Sequence, residues 1–249
     1  MNVSVILCHH TGTFVPACVS SIKTNIGVEA EIIVVTSDKN ADFVDSKTVY
    51  FNGGPAEKRN VGAKFATSEY LFFLDDDTEL DKEFLYHMAV AMMNGAGMVY
   101  GKTLNMERRT MLDNAGSFLT WTGFLWARAE SGVYDNGQFD QIEPVLAGKS
   151  AACMIHKKVF VDAGMFDPSF EILAEETDLS WRVWLLGFKV LYVPKSVTYH
   201  AFNTRFKPAE FYVPRRVYFN GCRIYITMLL TNLEARNLII PLIIQVCVW

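Results

Sequence analysis

The run Tyr70-Leu-Phe-Phe-Leu74, followed at once by Asp75, Asp76 and Asp77, decides how this chain is read. A short apolar run bounded by charge suits a buried strand, and the carboxylates then sit where it leaves the sheet. Adjacent anions repel one another. At the carboxyl end of a strand such a group commonly serves a positive partner, most often a divalent cation carrying phosphates. The alternative is a solvated acidic turn, with Asp77 capping a helix that begins near Thr78.

Working outward, strand and helix signals alternate over the first hundred residues. Val3–Leu7, Glu31–Val35 and Thr48–Phe51 read as strands. Phe14–Ile26, Ala56–Ala66 and Asp81–Met93 read as helices. The alternation predicts an α/β fold: a mixed, mainly parallel central sheet flanked by helices, with ligands at the carboxyl ends of its strands. From Met98 to Gly148 shorter strands (Met98–Lys102, Ala115–Leu119) alternate with Gly, Asn and Asp, and Tyr134–Gly137 is a turn signal. A strand at Ala151–Ile155, helices at His156–Ala163 and Glu175–Leu186, and a strand Phe188–Val193 stopped by Pro194 complete the reading. No linker separates two domains. We read residues 1–205 as one catalytic domain, with a nucleotide-binding half (1–100) and an acceptor half (101–205).

Composition narrows the classes. Over 249 residues, 51% apolar content excludes a disordered chain, and a net charge of -4 gives no support for nucleic-acid binding. Five scattered cysteines without a CxxC pair suit a reducing compartment better than a disulfide scaffold or a zinc site. The N-terminus carries no signal-peptide pattern. After Arg236 no charge remains, and the chain finishes Leu238-Ile-Ile-Pro-Leu-Ile-Ile-Gln-Val-Cys-Val-Trp249. A dozen apolar residues are too few to span a bilayer, which needs roughly 20. Residues 206–249 are therefore expected to form an apolar C-terminal helical tail. It packs on the domain, lies in a membrane interface, or belongs to an interrupted membrane segment. We prefer the membrane readings.

Other clusters carry chemistry. Gly53 and Gly54 precede Lys58, Arg59 and Asn60, which suit a diphosphate or sugar hydroxyls; a plain helix start is the alternative. In Glu175-Glu-Thr-Asp-Leu-Ser-Trp-Arg182 three carboxylates occupy the first helical turn, where the helix dipole favours anions. Asp178 and Arg182, four apart, predict an ion pair, which leaves Glu175 and Glu176 for other work, such as taking a proton from a hydroxyl. His200 suits the same cation as the aspartates. His9 and His10 lie at the ligand edge without the spacing of a helical zinc pair.

The order of these motifs, together with Ala147-Gly-Lys-Ser-Ala-Ala-Cys-Met154, Gly164-Met-Phe-Asp167 and Leu191-Tyr-Val-Pro194, resembles a family 2 inverting glycosyltransferase with a GT-A fold, nearest the rhamnosyl- and mannosyltransferase-like members. The resemblance covers about residues 3–205. It implies that Asp75–Asp77 match the DXD element, with Asp77 on a divalent ion (Mn2+ or Mg2+) and Asp75 near the ribose or sugar. Asp76 joins the nucleotide-sugar set without an assigned role. It implies His200 as a second metal ligand and Arg59 and Asn60 beside the nucleotide-sugar. Gly148 falls in a loop near donor and acceptor. Glu176 falls at the catalytic base, with Asp178 as runner-up and Glu175 beside it.

There are departures from the family pattern. Where such enzymes carry an Asp after the second strand, this chain reads Val35-Thr-Ser-Asp38, so the base or ribose contact moves to Thr36 or Asp38. The base is Glu in place of Asp. The Gln-x-x-Arg-Trp motif of processive members is missing, and Arg215–Asn220 resembles the tail helix of non-processive ones. The expected donor is a GDP-, dTDP- or UDP-sugar, and the expected product a glycan on a lipid-linked or polyprenyl-phosphate acceptor. Arg215, Arg216 and Arg223 beside the apolar tail suit the cytoplasmic face of a membrane. A sugar-phosphate nucleotidyltransferase is the competing enzyme class, but the loop Cys8-His-His-Thr-Gly-Thr13 lacks the Arg it needs. A non-catalytic nucleotide-sugar-binding module is the third reading.

Overall fold

The structure, a computed structural model, describes residues 1–9, 14–129, 132–149, 152–170, 174–201 and 215–248. In chain order the elements are β1 (Asn2–His9), α1 (Val15–Lys23), β2 (Glu29–Thr36), β3 (Lys47–Tyr50), α2 (Pro55–Phe65), β4 (Tyr70–Asp75), β5 (Thr78–Leu80) and α3 (Phe84–Met93). There follow β6 (Ala96–Asn105), β7 (Leu112–Asn114), β8 (Ser117–Leu119), β9 (Leu125–Ala127), β10 (Glu143–Pro144), β11 (Ala152–His156) and α4 (Lys157–Asp162). The last are α5 (Glu175–Leu185), β12 (Lys189–His200), α6 (Arg215–Asn232) and α7 (Ala235–Val248).

The main sheet runs β10-β12-β6-β11-β4-β1-β2-β3, with β5 on β12 and β7 on β6. Strands β1, β2, β3 and β4 pair in parallel, as do β6 and β12; β11 runs antiparallel between the two groups. Six strands therefore point the same way. Their carboxyl ends bring His9, Thr36, Asp75 and His200 to one edge of the sheet. The expected mixed, mainly parallel α/β architecture is what forms.

Both faces are covered, which is why the strands read as continuous apolar runs. Val3, Val5 and Leu7 pack with Val15, Cys18 and Ile22 of α1 and with Phe84, Leu85 and Met88 of α3. On the other face Ile6, Ile33 and Val35 pack with α2, α4 and α5 through Ala56, Ala63, Phe160, Leu179 and Val183.

Two expectations are corrected here. Residues 78–80 form a strand, not the start of a helix, because β5 pairs antiparallel with the end of β12 (His200 opposite Thr78). That pairing also ends the alternative in which Asp77 caps a helix. Pro194 does not stop β12. The ladder to β6 shifts register between Val193 and Val197, so the proline, which has no N–H to donate, lies off the ladder and the strand runs on to His200.

The tail is helical. Ile224, Met228 and Leu229 of α6 form a small core with Phe170, Ala174 and Trp181, joined by Leu238 of α7. Helix α7 buries Pro241 and Gln245 and turns Ile239, Ile240 and Ile243 outward, each more than half exposed. Gly123, in the β8–β9 turn at φ 85°, packs so tightly on α7 that an added Cβ would lie 2.9 Å from Cβ of Pro241. Among the described residues no helix is long and apolar enough to cross a membrane.

Candidate active site

Asp75 ends β4, Asp77 sits in the following turn, and His200 ends β12. Ligand atoms of these three lie within 4.8 Å of one another. The β5–β12 pairing puts them there: Ala201 N–H donates to the Asp77 carbonyl at 3.0 Å, and His200 Nε2 lies 3.3 Å from Asp77 Oδ1. Two carboxylates and an imidazole suit a hard-to-borderline divalent ion such as Mg2+ or Mn2+. Burial opposes charge on His200, but hydrogen bonds to Asp113 and Asp77 outweigh it and raise the imidazole to about 9. Without a cation, an imidazolium offsets the aspartates. Asp76 is half-buried and lies outside this ligand cluster.

The three carboxylates of α5 meet three different fates. Glu175 is buried, and its Oε1 accepts from Arg59 Nη1 at 2.7 Å. Arg59 Nη2 donates to Asp75 Oδ1 at 2.9 Å, so one buried guanidinium joins the end of β4 to the start of α5. Asp178 accepts from Arg182 Nε at 2.9 Å and Nη2 at 2.6 Å, and from Asn232 Nδ2 of α6 at 2.9 Å. The expected ion pair to Arg182 is present. A carboxylate held by three donors is a poor proton acceptor, so the runner-up role of Asp178 is withdrawn in favour of a clamp between α5 and α6.

Glu176 remains half-buried, its carboxylate bonded to its own backbone N–H. Burial first, and the charge of Glu175 second, push its pKa up to about 8. Ala174, two residues before it at the start of α5, holds φ 61°, a sparsely populated left-handed conformation for a residue with a Cβ. Tyr100 braces this turn: its hydroxyl pairs with Ser180 Oγ at 2.6 Å and donates to the Glu176 carbonyl at 3.3 Å. Gly148 lies flat on that ring, and a Cβ there would come within 2.5 Å of Tyr100 Cγ. Gly148 thus reaches the site through Tyr100, and Ser150 and Ala151 of its motif lie outside the described residues.

At the nucleotide end Thr36 is fully buried, its Oγ1 2.9 Å from His9 Nδ1 and accepting from Asp38 N–H at 3.0 Å. Asp38 is exposed beyond it, with Oδ1 accepting from Asn40 N–H. Lys58 Nζ donates to the His9 carbonyl at 2.8 Å. Asn60 is the clear correction: its Oδ1 accepts from Phe166 N–H at 3.1 Å and its Nδ2 donates to the Phe166 carbonyl at 2.8 Å. Both ends of the amide are engaged, which makes Asn60 a strut between α2 and the loop after α4. Arg59 likewise holds two carboxylates rather than offering an open donor face. His10 lies outside the described residues.

Asp113 carries no signal in the sequence, and Lys149 enters only as part of the Ala147–Met154 motif. Asp113 Oδ2 lies 3.0 Å from His200 Nδ1, and Asp113 Oδ1 accepts from Lys149 Nζ at 2.5 Å. Burial penalises the Asp113 charge, yet His200 and Lys149 together hold its carboxyl below the usual range. Asp113 falls in a stretch, Leu112-Asp-Asn-Ala-Gly116, whose polar and small residues read as a loop. The general need of a ligating imidazole for a partner on its second nitrogen was the available clue.

The family model described as glycosyl transferase family group 2 matches residues 70–249, and that of glycosyl transferase family 2 matches residues 4–118. Among curated proteins, a probable N-acetylgalactosaminyltransferase 8 of Caenorhabditis elegans is 24% identical over 189 residues, covering 72% of this chain and 42% of the relative. A polypeptide N-acetylgalactosaminyltransferase 11 of Xenopus tropicalis is 26% identical over 157 residues, covering 59% and 26%. The chain thus spans less than half the length of either relative. Among solved structures, GalNAc-T7 with UDP, GalNAc and Mn2+ superimposes with a TM-score of 0.65 at 16% identity, covering 80% of this chain and 43% of the other. S. aureus TarS 1-349 in complex with UDP gives 0.63 at 16% identity, covering 95% and 68%. At that identity the likeness speaks to the fold alone, the GT-A arrangement. With one family model spanning residues 70 to 249 and a second reaching back to residue 4, the chain belongs to glycosyl transferase family group 2.

Proposed function

We propose that this chain transfers a sugar from a nucleoside diphosphate, UDP in first place, to an acceptor hydroxyl with inversion at the anomeric carbon. The observation that carries the reading is the division of labour on α5. Arg59 holds Glu175, Arg182 and Asn232 hold Asp178, and Glu176 keeps a half-open carboxylate with a raised pKa. A carboxylate with that basicity is matched to proton removal near neutral pH.

Glu176 takes the proton of the acceptor hydroxyl. The acceptor oxygen forms its bond to the anomeric carbon as the bond from that carbon to the diphosphate oxygen breaks, and the electron pair leaves with the nucleoside diphosphate. Asp75, Asp77 and His200 would hold a divalent cation, which when bound neutralises the diphosphate and improves it as a leaving group. Arg59 keeps Asp75 and Glu175 in register across the site. Thr36, Asp38 and Lys58 line the edge where the nucleotide would lie.

UDP stands first because two of the structural neighbours are described with it; the mannose or rhamnose expectation finds no such support, and the named relatives are N-acetylgalactosaminyltransferases. Thermal shift with UDP-, GDP- and dTDP-sugars, with and without Mn2+ or Mg2+, tests the donor, since a binder raises the melting temperature according to its concentration relative to its Kd. The anomeric configuration of the product, read by NMR, tests the mechanism. A retained anomer would remove Glu176 as base for a single displacement.

The acceptor side of the reading is a lipid-linked glycan at the cytoplasmic face of a membrane. The outward isoleucines of α7 support it, with Trp121 exposed in the turn that packs on this helix. Trp and isoleucine together suit an interfacial helix. Five free cysteines accord with a reducing compartment. Liposome flotation of the protein against an Ile239→Asn/Ile240→Asn/Ile243→Asn variant tests it, and equal flotation would remove the membrane from the reading.

A further inference from the structure

We propose that Asp113 and Lys149 are positioning residues for the metal ligand His200, forming a chain Lys149–Asp113–His200 that aims Nε2 at the DXD carboxylates. The inference rests on the metal reading of the Asp75, Asp77 and His200 cluster.

The geometry begins with a sheet irregularity. Strand β7 pairs with β6 through Asn114 opposite Thr103 and Leu112 opposite Leu104, with Asp113 at the register shift between them. A bulge of this kind re-aims one side chain. His200 comes to the same place from the other side of β6, where it stands opposite Asn105 at the end of β12. The two side chains are almost fully buried, and Asp113 Oδ2 lies 3.0 Å from Nδ1. An acceptor on Nδ1 keeps a proton there, so Nε2, 3.3 Å from Asp77 Oδ1, is the nitrogen that would turn its lone pair to a bound cation.

Lys149 completes the chain. Its ammonium donates to the other oxygen of Asp113 at 2.5 Å and holds the carboxylate's plane. It follows Gly148, the residue pressed against Tyr100, and Tyr100 braces the turn that carries Glu176. Two consecutive residues, Gly148 and Lys149, therefore touch the base and the ligand cluster through one intermediary each. A donor-induced shift of this short loop would be felt at both.

The test is Mn2+ affinity of the whole chain without donor, measured by electron paramagnetic resonance of free Mn2+, for wild type, Asp113→Asn, Lys149→Met and His200→Ala. Removing such an outer partner weakens metal binding by about 10–100-fold. Asp113→Asn should fall in that range, Lys149→Met should lose less, and His200→Ala should lose at least as much as Asp113→Asn. The Mn2+ activation curve should move to higher concentration in the same order. Wild-type affinity in Asp113→Asn alongside a weakened His200→Ala would overturn the positioning chain and leave the metal site intact. Wild-type affinity in His200→Ala would overturn both. If Asp113→Asn does not fold, Lys149→Met, altered at a side chain about one-third exposed, decides: unchanged Mn2+ affinity there overturns the chain.

Discussion

Helix α5 buries Glu175, Thr177, Asp178 and Ser180 and exposes Leu185, whereas α7 buries Gln245 and exposes Ile239, Ile240 and Ile243. A surface helix usually turns only its apolar stripe inward; α5 buries polar groups beside its inward Leu179, Trp181 and Val183, and α7 leaves apolar residues outward. The difference lies in compensation. Both buried carboxylates of α5 meet a cation or an amide: Glu175 meets Arg59 of α2, and Asp178 meets Arg182 on its own helix and Asn232 of α6. The isoleucines of α7 meet no comparable cover among the described residues. Buried charge that the chain neutralises itself marks a built site. Apolar surface that the chain leaves open marks a place for something outside it.

The sharpest way to break the comparison is to disarm α5 without unfolding it. Glu176→Gln keeps shape and removes the base, and transfer should fall by about 10²–10⁴-fold; near wild-type turnover would end its assignment. Next, Arg59→Met strips the compensation from two carboxylates at once. Breaking a buried pair in this way costs about 3–5 kcal/mol, visible as a lower melting temperature. An unchanged melting temperature would mean that Glu175 and Asp75 find other partners.

A smaller effect is expected from Asn232→Ala. It removes a hydrogen bond to the charged Asp178, worth about 1.5–3 kcal/mol, and loosens α6 from the helix that carries the base. Chemical denaturation of the two proteins measures it.

The pH dependence sharpens the comparison from another side. Burial and then Glu175 raise Glu176 from an ordinary value of 4.5 to about 8, so the fold favours its protonated form. Its contribution to stability is therefore fullest below about pH 4.5 and declines as pH climbs toward about 8. The proposed base acts in its ionised form, so the rate should rise with pH along a limb centred on about 8. Glu175→Gln should move the ascending limb to lower pH; an unmoved limb would clear Glu175 of any part in the shift. Last, on α7, single Ile→Asn changes at 239, 240 or 243 should alter stability by no more than about 0.5 kcal/mol while reducing liposome flotation.

Much of the fold was legible locally. The β-branched and apolar runs at Val3–Leu7, Glu31–Val35 and Tyr70–Leu74 mark strands covered on both faces, and the apolar spacing Val15, Val19, Ile22 marks α1. The failures share a cause. Thr78–Leu80 has the composition of a helix start and becomes a strand because β12 arrives beside it. Pro194 has the composition of a stop, and a bulge carries the strand past it. Asn60 has the look of a ligand contact, and the backbone of Phe166, 106 residues away, takes both of its ends.

What the sequence determined by itself is therefore what neighbours along the chain can specify. It set the alternation of elements, the carboxylates at the end of β4, and the Asp178–Arg182 pair one helical turn apart. Only the tertiary structure decided which charges meet across the sheet. Arg59 finds Glu175 across 116 residues, and Asp113 finds His200 across 87. Periodicity sets which face a side chain takes, but strand order, register and a single bulge set its partner, and those follow from the packing of the whole sheet.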